Sequence, residues 1–168
     1  MKTRFMPLLA LLAIATLISC SKDKDNAKKE ETIPKDNYTF LKSERLALQA
    51  KNQRSTEYSD AFEITNVERS GDMLNITVSF LKTCENTKGE FSVIWDGVIF
   101  FSHPPSITLW VKREAGDCVP TNTTVTEVLS VNLKELIKNQ SLTDEGKIVI
   151  ANSSKTNTSG DVTSTVSN

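Results

Sequence analysis

Three cysteines, one histidine and a scatter of carboxylates are the side chains with reactive chemistry to offer. The thiols stand at Cys20, Cys84 and Cys118, and none share the Cys-x-x-Cys spacing of a redox pair or zinc site. A cysteine nucleophile needs a base to take its proton. The one histidine, His103, runs into Pro104 and Pro105, so it reads as a loop residue. A single histidine also excludes the His-Glu-x-x-His zinc helix. No Gly-x-Ser-x-Gly elbow, phosphate-binding Gly-x-x-x-x-Gly-Lys loop or Gly-x-Gly-x-x-Gly turn occurs. Asp72, Glu85 and Asp117 fall in loops where calcium ligands could sit. Without the Asp-x-Asp-x-Asp-Gly spacing they read as solvated turns. A carboxylate pair for hydrolysis stays open, because nothing selects one pair over another. The residues thus favour a non-enzymatic module with no metal and no bound cofactor. The alternative is a small envelope hydrolase or metal-dependent enzyme using loop carboxylates.

The context of Cys20 is more informative. Met1 to Arg4 is short and basic, and Phe5 to Leu17 is an apolar run without charge. At thirteen residues it falls short of the ~20 that a membrane span needs, and it has the length of a signal-peptide core. It ends in Leu17-Ile18-Ser19-Cys20, which resembles the lipobox of bacterial lipoproteins. The resemblance implies removal of 1–19, a covalent diacylglycerol on the Cys20 sulfur, and a place in the bacterial cell envelope as an outer membrane lipoprotein. The membrane would then be a partner through the lipid anchor. An ordinary cleaved leader, or an uncleaved helical one, is the alternative. Two or three acyl chains would hold essentially irreversibly, at ~0.8 kcal/mol per buried CH₂.

Residues 20–37 follow as the lipidated cysteine and a tether. From Ser21 to Asn37 only Ala27, Ile33 and Pro34 are apolar, so the segment is expected to be disordered. Ser21-Lys22-Asp23-Lys24-Asp25 is similar to the charged cluster that Bacteroidota lipoproteins carry after the cysteine, which in some directs surface export. Periplasmic and surface-facing positions both stay open. The whole chain has 20 Lys+Arg against 21 Asp+Glu; without Lys2 and Arg4 the balance is 18 to 21. That gives no basic footprint for nucleic acid. If Cys20 carries lipid in an oxidising compartment, Cys84 and Cys118 are an even pair and should form a disulfide.

These loops need a frame. Ser43 to Lys51 has helix-forming composition with a serine placed to cap it, although Leu46 and Leu48 would also suit a lead-in strand. From Phe62 the period becomes two. Phe62 and Ile64, then Leu74, Ile76, Val78 and Phe80 across Ser70-Gly71-Asp72, read as a hairpin. Phe91 to Trp95, Val98 to Phe101, Ile107 to Val111, Leu129 to Leu133 and Lys147 to Ala151 read as further strands, with one helical turn at Lys134 to Lys138. About seven short strands with regular turns predict an all-β, antiparallel immunoglobulin-like sandwich over 38–151, with a small barrel as alternative. No helical pattern of ten residues separates the strands, which argues against parallel pairing. Twelve of the last seventeen residues are Ser, Thr or Asn. Hence 152–168 is expected to be a disordered tail, or else an edge strand around Asp161 to Val166.

The runs Phe62-Glu63-Ile64 to Cys84-Glu85 and Ser106-Ile107-Thr108-Leu109 to Leu133, with Gly71-Asp72 and Gly116-Asp117-Cys118 inside them, resemble uncharacterised Bacteroidota lipoproteins. The resemblance implies this fold and compartment, and no activity. Relatives often have a histidine shortly after the first cysteine; here Glu85-Asn86-Thr87 stand there, so a site built on that histidine is absent or altered. Binding signals are aromatic instead. Trp110 alternates against Ile107, Leu109 and Val111 and should face outwards or pack under the Cys118 loop. Phe100 and Phe101 are adjacent, so one must leave the face the other occupies. Together they are the candidate contact for an envelope protein or glycan.

Overall fold

A computed structural model describes residues 30–83, 90–116, 119, 121–138 and 145–164. It is mostly β. The strands are β1 (Glu31–Pro34), β2 (Tyr38–Lys42), β3 (Glu63–Ser70), β4 (Met73–Leu81), β5 (Phe91–Trp95), β6 (Ser106–Arg113), β7 (Thr124–Asn132), β8 (Lys147–Asn152) and β9 (Val162–Ser164). Helix α1 (Glu44–Asn52) follows β2, and the short α2 (Leu133–Ile137) follows β7. One sheet has the order β1-β2-β5-β6-β8-β9 and the other β3-β4-β7.

The six-stranded sheet is mixed, which corrects the all-antiparallel expectation. β2 runs parallel to β5, and β6 parallel to β8. Parallel neighbours need a long crossover, usually a helix, and no helical pattern of ten residues separates the strands. Here the chain crosses through the other sheet. Between β2 and β5 it forms α1 and the β3–β4 hairpin; between β6 and β8 it forms β7 and α2. The three-stranded sheet is antiparallel throughout. Its hairpin turns at Gly71, whose φ of +56° suits glycine.

Two further expectations shift. Val98 to Phe101 is not a strand: after the Asp96-Gly97 turn only Phe100 bridges to Ser106. Glu31–Pro34, placed in the tether, forms β1 against β2. Of the two readings of 152–168, a disordered tail or an edge strand around Asp161 to Val166, the second holds for the described part: the chain turns back and supplies β9 at the sheet edge, paired with β8. Ser, Thr and Asn can be ordered when each polar group finds a partner, and Asn152 to Ser154 are buried.

The core lies between the sheets. Leu74, Ile76, Val78 and Phe80 from β4 and Leu129 and Val131 from β7 meet Phe40, Phe91, Val93, Trp95, Ile107, Leu109, Val111, Ile148 and Ile150 of the larger sheet in one buried cluster. Burying each such side chain contributes ~1.5–3 kcal/mol. The larger sheet's outer face is covered by α1, whose Ala47 and Ala50 are buried, as is Ile94 on that face. Ser43 caps α1, its hydroxyl accepting from Leu46 N at 3.2 Å and donating to Glu30 Oε1 at 2.7 Å. That bond and Arg45 hold the Glu30 carboxyl below its ordinary range.

Candidate functional site

On its outer face, β6 presents Thr108 and Trp110 while Ile107, Leu109 and Val111 point inwards. Helix α1 lies beside this stripe with Glu44, Ala47, Leu48 and Lys51, spaced to share one helical face. The loop after β5 closes the other side with Asp96, Val98 and Phe100. The result is a groove of about 260 Å³. Its aromatic lining comes from Trp110 and Phe100, and its polar lining from Glu44, Lys51, Asp96 and Thr108.

Local chemistry holds this shape. Asp96 Oδ1 accepts from Val98 N at 2.8 Å, and the Trp95 indole donates to Val98 O at 3.1 Å. Gly97 has φ +80°, and a Cβ there would stand 3.1 Å from Lys42 Cε. Phe100 and Ser106 exchange both backbone hydrogen bonds, at 2.8 and 2.9 Å. The Arg54 guanidinium lies 5.3 Å from the Trp110 ring centroid.

Of the aromatic candidates, Trp110 and Phe100 share the groove. Phe101 does not line it and stands almost fully in solvent. Trp110 lines the groove beside α1, with Arg54 over its ring; whether it packs under the Cys118 loop lies outside the described residues. His103 is exposed and outside the groove. Asp72 sits in the β3–β4 turn, where its carbonyl accepts from Leu133 N. Cys20, Cys84 and Cys118 lie outside the described residues, as do Glu85 and Asp117. Among the described residues no group of three His, Cys, Asp or Glu could hold a metal ion, and no helix is long and apolar enough to cross a membrane.

Two buried polar clusters carry no motif. Arg113, expected to open a loop, is the last residue of β6 and faces inwards. Its Nε lies 3.0 Å from Glu90 Oε2; Nη1 donates to Ala61 O at 3.2 Å, and Nη2 to Leu81 O at 3.0 Å. Arg54 pairs with Asp161 and donates to Asn152 O at 2.9 Å. Asn152 in turn donates to Phe62 O at 2.9 Å. The available signal was register: Arg113 extends the inward series Ile107, Leu109, Val111, and Asn152 extends Ile148, Ile150. A polar residue at the end of an inward series needs a buried partner.

No family model matches the chain, and no curated protein matches it. Among solved structures it is similar to a Bacteroides vulgatus protein of unknown function, DUF1344, at 14% identity and a TM-score of 0.43. The match covers 70% of this chain and 53% of that one, so the chain spans about half that protein's length.

Proposed function

We propose that the chain is a lipid-anchored protein of the bacterial envelope whose β domain is a non-enzymatic binding module, with a glycan as ligand of the groove between α1 and β6. The observation that carries this reading is the convergence of partly exposed Trp110 and Phe100 with Glu44, Asp96, Lys51 and Thr108. Aromatic surface takes the apolar face of a sugar ring, and nearby carboxylates, amine and hydroxyl match its hydroxyls. On this reading the two sheets, packed as a sandwich, back the strand that presents Thr108 and Trp110. The anchor reading rests on Leu17-Ile18-Ser19-Cys20 behind a short apolar leader, and it places the domain at the outer membrane.

The test has two independent arms. Mass spectrometry of the native amino terminus should find the leader gone and diacylglycerol on Cys20; a bare cysteine or a retained leader ends the anchoring reading. Titration of the purified chain against envelope saccharides should find binding that Trp110→Ala and Phe100→Ala each weaken by about tenfold or more, with the thermal midpoint little changed. Saccharide binding that neither substitution weakens would end the groove reading. The second reading, a hydrolase, is favoured by one observation: Glu44 and Asp96 line the same groove. Turnover of a bound saccharide that is lost in Glu44→Gln or Asp96→Asn would establish it.

A further inference from the structure

Three large apolar side chains are exposed at one place. Leu48 and Phe100 border the groove, 56% and 55% exposed, and the neighbouring Phe101 is 89% exposed. Phe101 is held out on a built tip. The paired backbone bonds of Phe100 and Ser106 close the loop, Ser102 Oγ donates to Pro104 O at 2.7 Å, and Lys147 N ties Pro105 O to β8 at 2.8 Å. Three large apolar side chains gathered at one place are a surface of the kind that marks a protein or membrane contact.

The sheet register says where that tip lies. Glu31 at the start of β1 pairs with Lys42 at the end of β2, and Lys42 with Trp95 at the end of β5. Ser106 at the start of β6 pairs with Lys147 at the start of β8. The 96–105 loop therefore projects from the same end of the sheet at which the chain enters. Glu30 is fixed there by Ser43 and Arg45. Ten steps of chain separate Cys20 from Glu30, a reach of at most ~35 Å. The other end of the sheet is farther off by the length of an eight-residue strand, ~27 Å. The chain enters at Glu30, so the Phe101 end lies closer to the proposed attachment point than the opposite end does, by that strand length.

We infer that this end of the domain rests on the lipid bilayer, with Phe101 entering the interface and Phe100 and Leu48 behind it. This rests on the proposed anchoring at Cys20, and it sets the groove beside the membrane surface. Charges at this end are mixed, with Lys42 and Lys147 beside Glu31 and Asp96. The contact is therefore apolar rather than a basic patch on anionic lipid.

The full chain, purified from native membranes and reconstituted into phosphatidylethanolamine vesicles, tests this. A Phe101→Trp variant, read against the Trp95 and Trp110 background of wild type, should shift to the blue and be quenched by brominated acyl chains. Val128→Trp, exposed beside Asn37 at the opposite end of β2, should not. Phe101→Trp emission that stays water-like and unquenched overturns the inference, as does equal quenching at both positions. A blue shift that requires added envelope protein instead of lipid overturns it too, and assigns the tip to a protein partner. Mass analysis of Cys20 on the same sample separates the two readings. If the cysteine is bare, the anchor fails, and the vesicle quenching still decides whether the tip enters lipid. In that unlipidated chain Phe101→Ser should lower vesicle partitioning on the order of tenfold; no change also overturns the inference.

Discussion

The Arg113 guanidinium meets the Glu90 carboxylate at 2.9 Å with each side chain more than nine-tenths buried. The ring of Phe80 stacks 4.3 Å from the guanidinium carbon. The carbonyls of Ala61 and Leu81 and the Thr83 hydroxyl also accept from the guanidinium. A buried pair gains little over apolar replacements, but removing one member strands a charge. Arg113→Met or Glu90→Leu should therefore each destabilise by about 3–5 kcal/mol. Arg113→Met with Glu90→Leu should cost clearly less than the two single costs added. Urea midpoints at constant m-value measure this cycle; additive costs would show that the two charges do not depend on each other.

The carboxy-terminal segment makes a second case. Asp161 pairs with Arg54 and accepts from Asn152 N at 3.1 Å, so one carboxylate ties β8, β9 and the segment after α1 together. Asp161→Ala leaves Arg54 largely buried without its anion. The expected loss is about 2–4 kcal/mol, with faster amide exchange at Val162 to Ser164. Unaltered exchange there would show that β9 is held by its strand pairing alone.

How far these features were legible depended on which physical rule governed each. The alternation from Leu74 to Phe80 and the capping serine at Ser43 are local signals, and β4 and α1 lie where they point. The outward register of Trp110 follows from its alternation with Ile107, Leu109 and Val111. The parallel pairs were not legible, because a crossover through a second sheet has no helical period to display. The edge strand near Asp161 was one of two readings open in the sequence, but the burial of Asn152 to Ser154 was hidden by composition. Polar residues look unfit for burial until Asn152 Oδ1 is seen accepting from Ser154 N at 2.9 Å and its amide donating to Phe62 O. Phe100 and Phe101 were legible as a pair facing apart, but not as a loop. The groove needed α1 set against β6, a contact that no local pattern encodes.

Tyr38 gives a pH-dependent prediction. Its phenol is buried on β2 and donates to Ser130 O at 2.9 Å. Burial, with the Glu135 carboxylate adding to it, pushes its pKa up to about 12. The unfolded phenol ionises near pH ~10. Between those values the unfolded state binds fewer protons, so stability falls as pH rises. The contribution is whole below pH ~10 and lost as pH rises through about 12, up to about 2 kcal/mol. Tyr38→Phe should cost about 1 kcal/mol at neutral pH and show a shallower loss over the alkaline window. Parallel alkaline denaturation of wild type and variant reads the difference; identical slopes would mean the phenol ionises in the folded protein.

The two loop cysteines supply the last prediction. They lie outside the described residues, but their flanks are joined. Lys82 N donates to Thr123 O at 2.8 Å, and Lys82 O accepts from Thr121 N and from the Thr121 hydroxyl at 2.6 and 2.8 Å. Cys84 follows Lys82 by two residues and Cys118 precedes Thr121 by three. At ~3.3–3.6 Å of reach per residue, chain length lets the two Cα atoms come within the ~4.4–6.8 Å that a disulfide spans. Unreduced protein should therefore resist alkylation at both positions, and a peptide map should recover them joined. Cys84→Ser should cost about 3–4 kcal/mol by the chain-entropy account, and Cys118→Ser the same, with the double variant no worse than either. Ready alkylation of both thiols without reductant would sink the pairing. A double variant that loses twice the single cost would show that each sulfur acts alone.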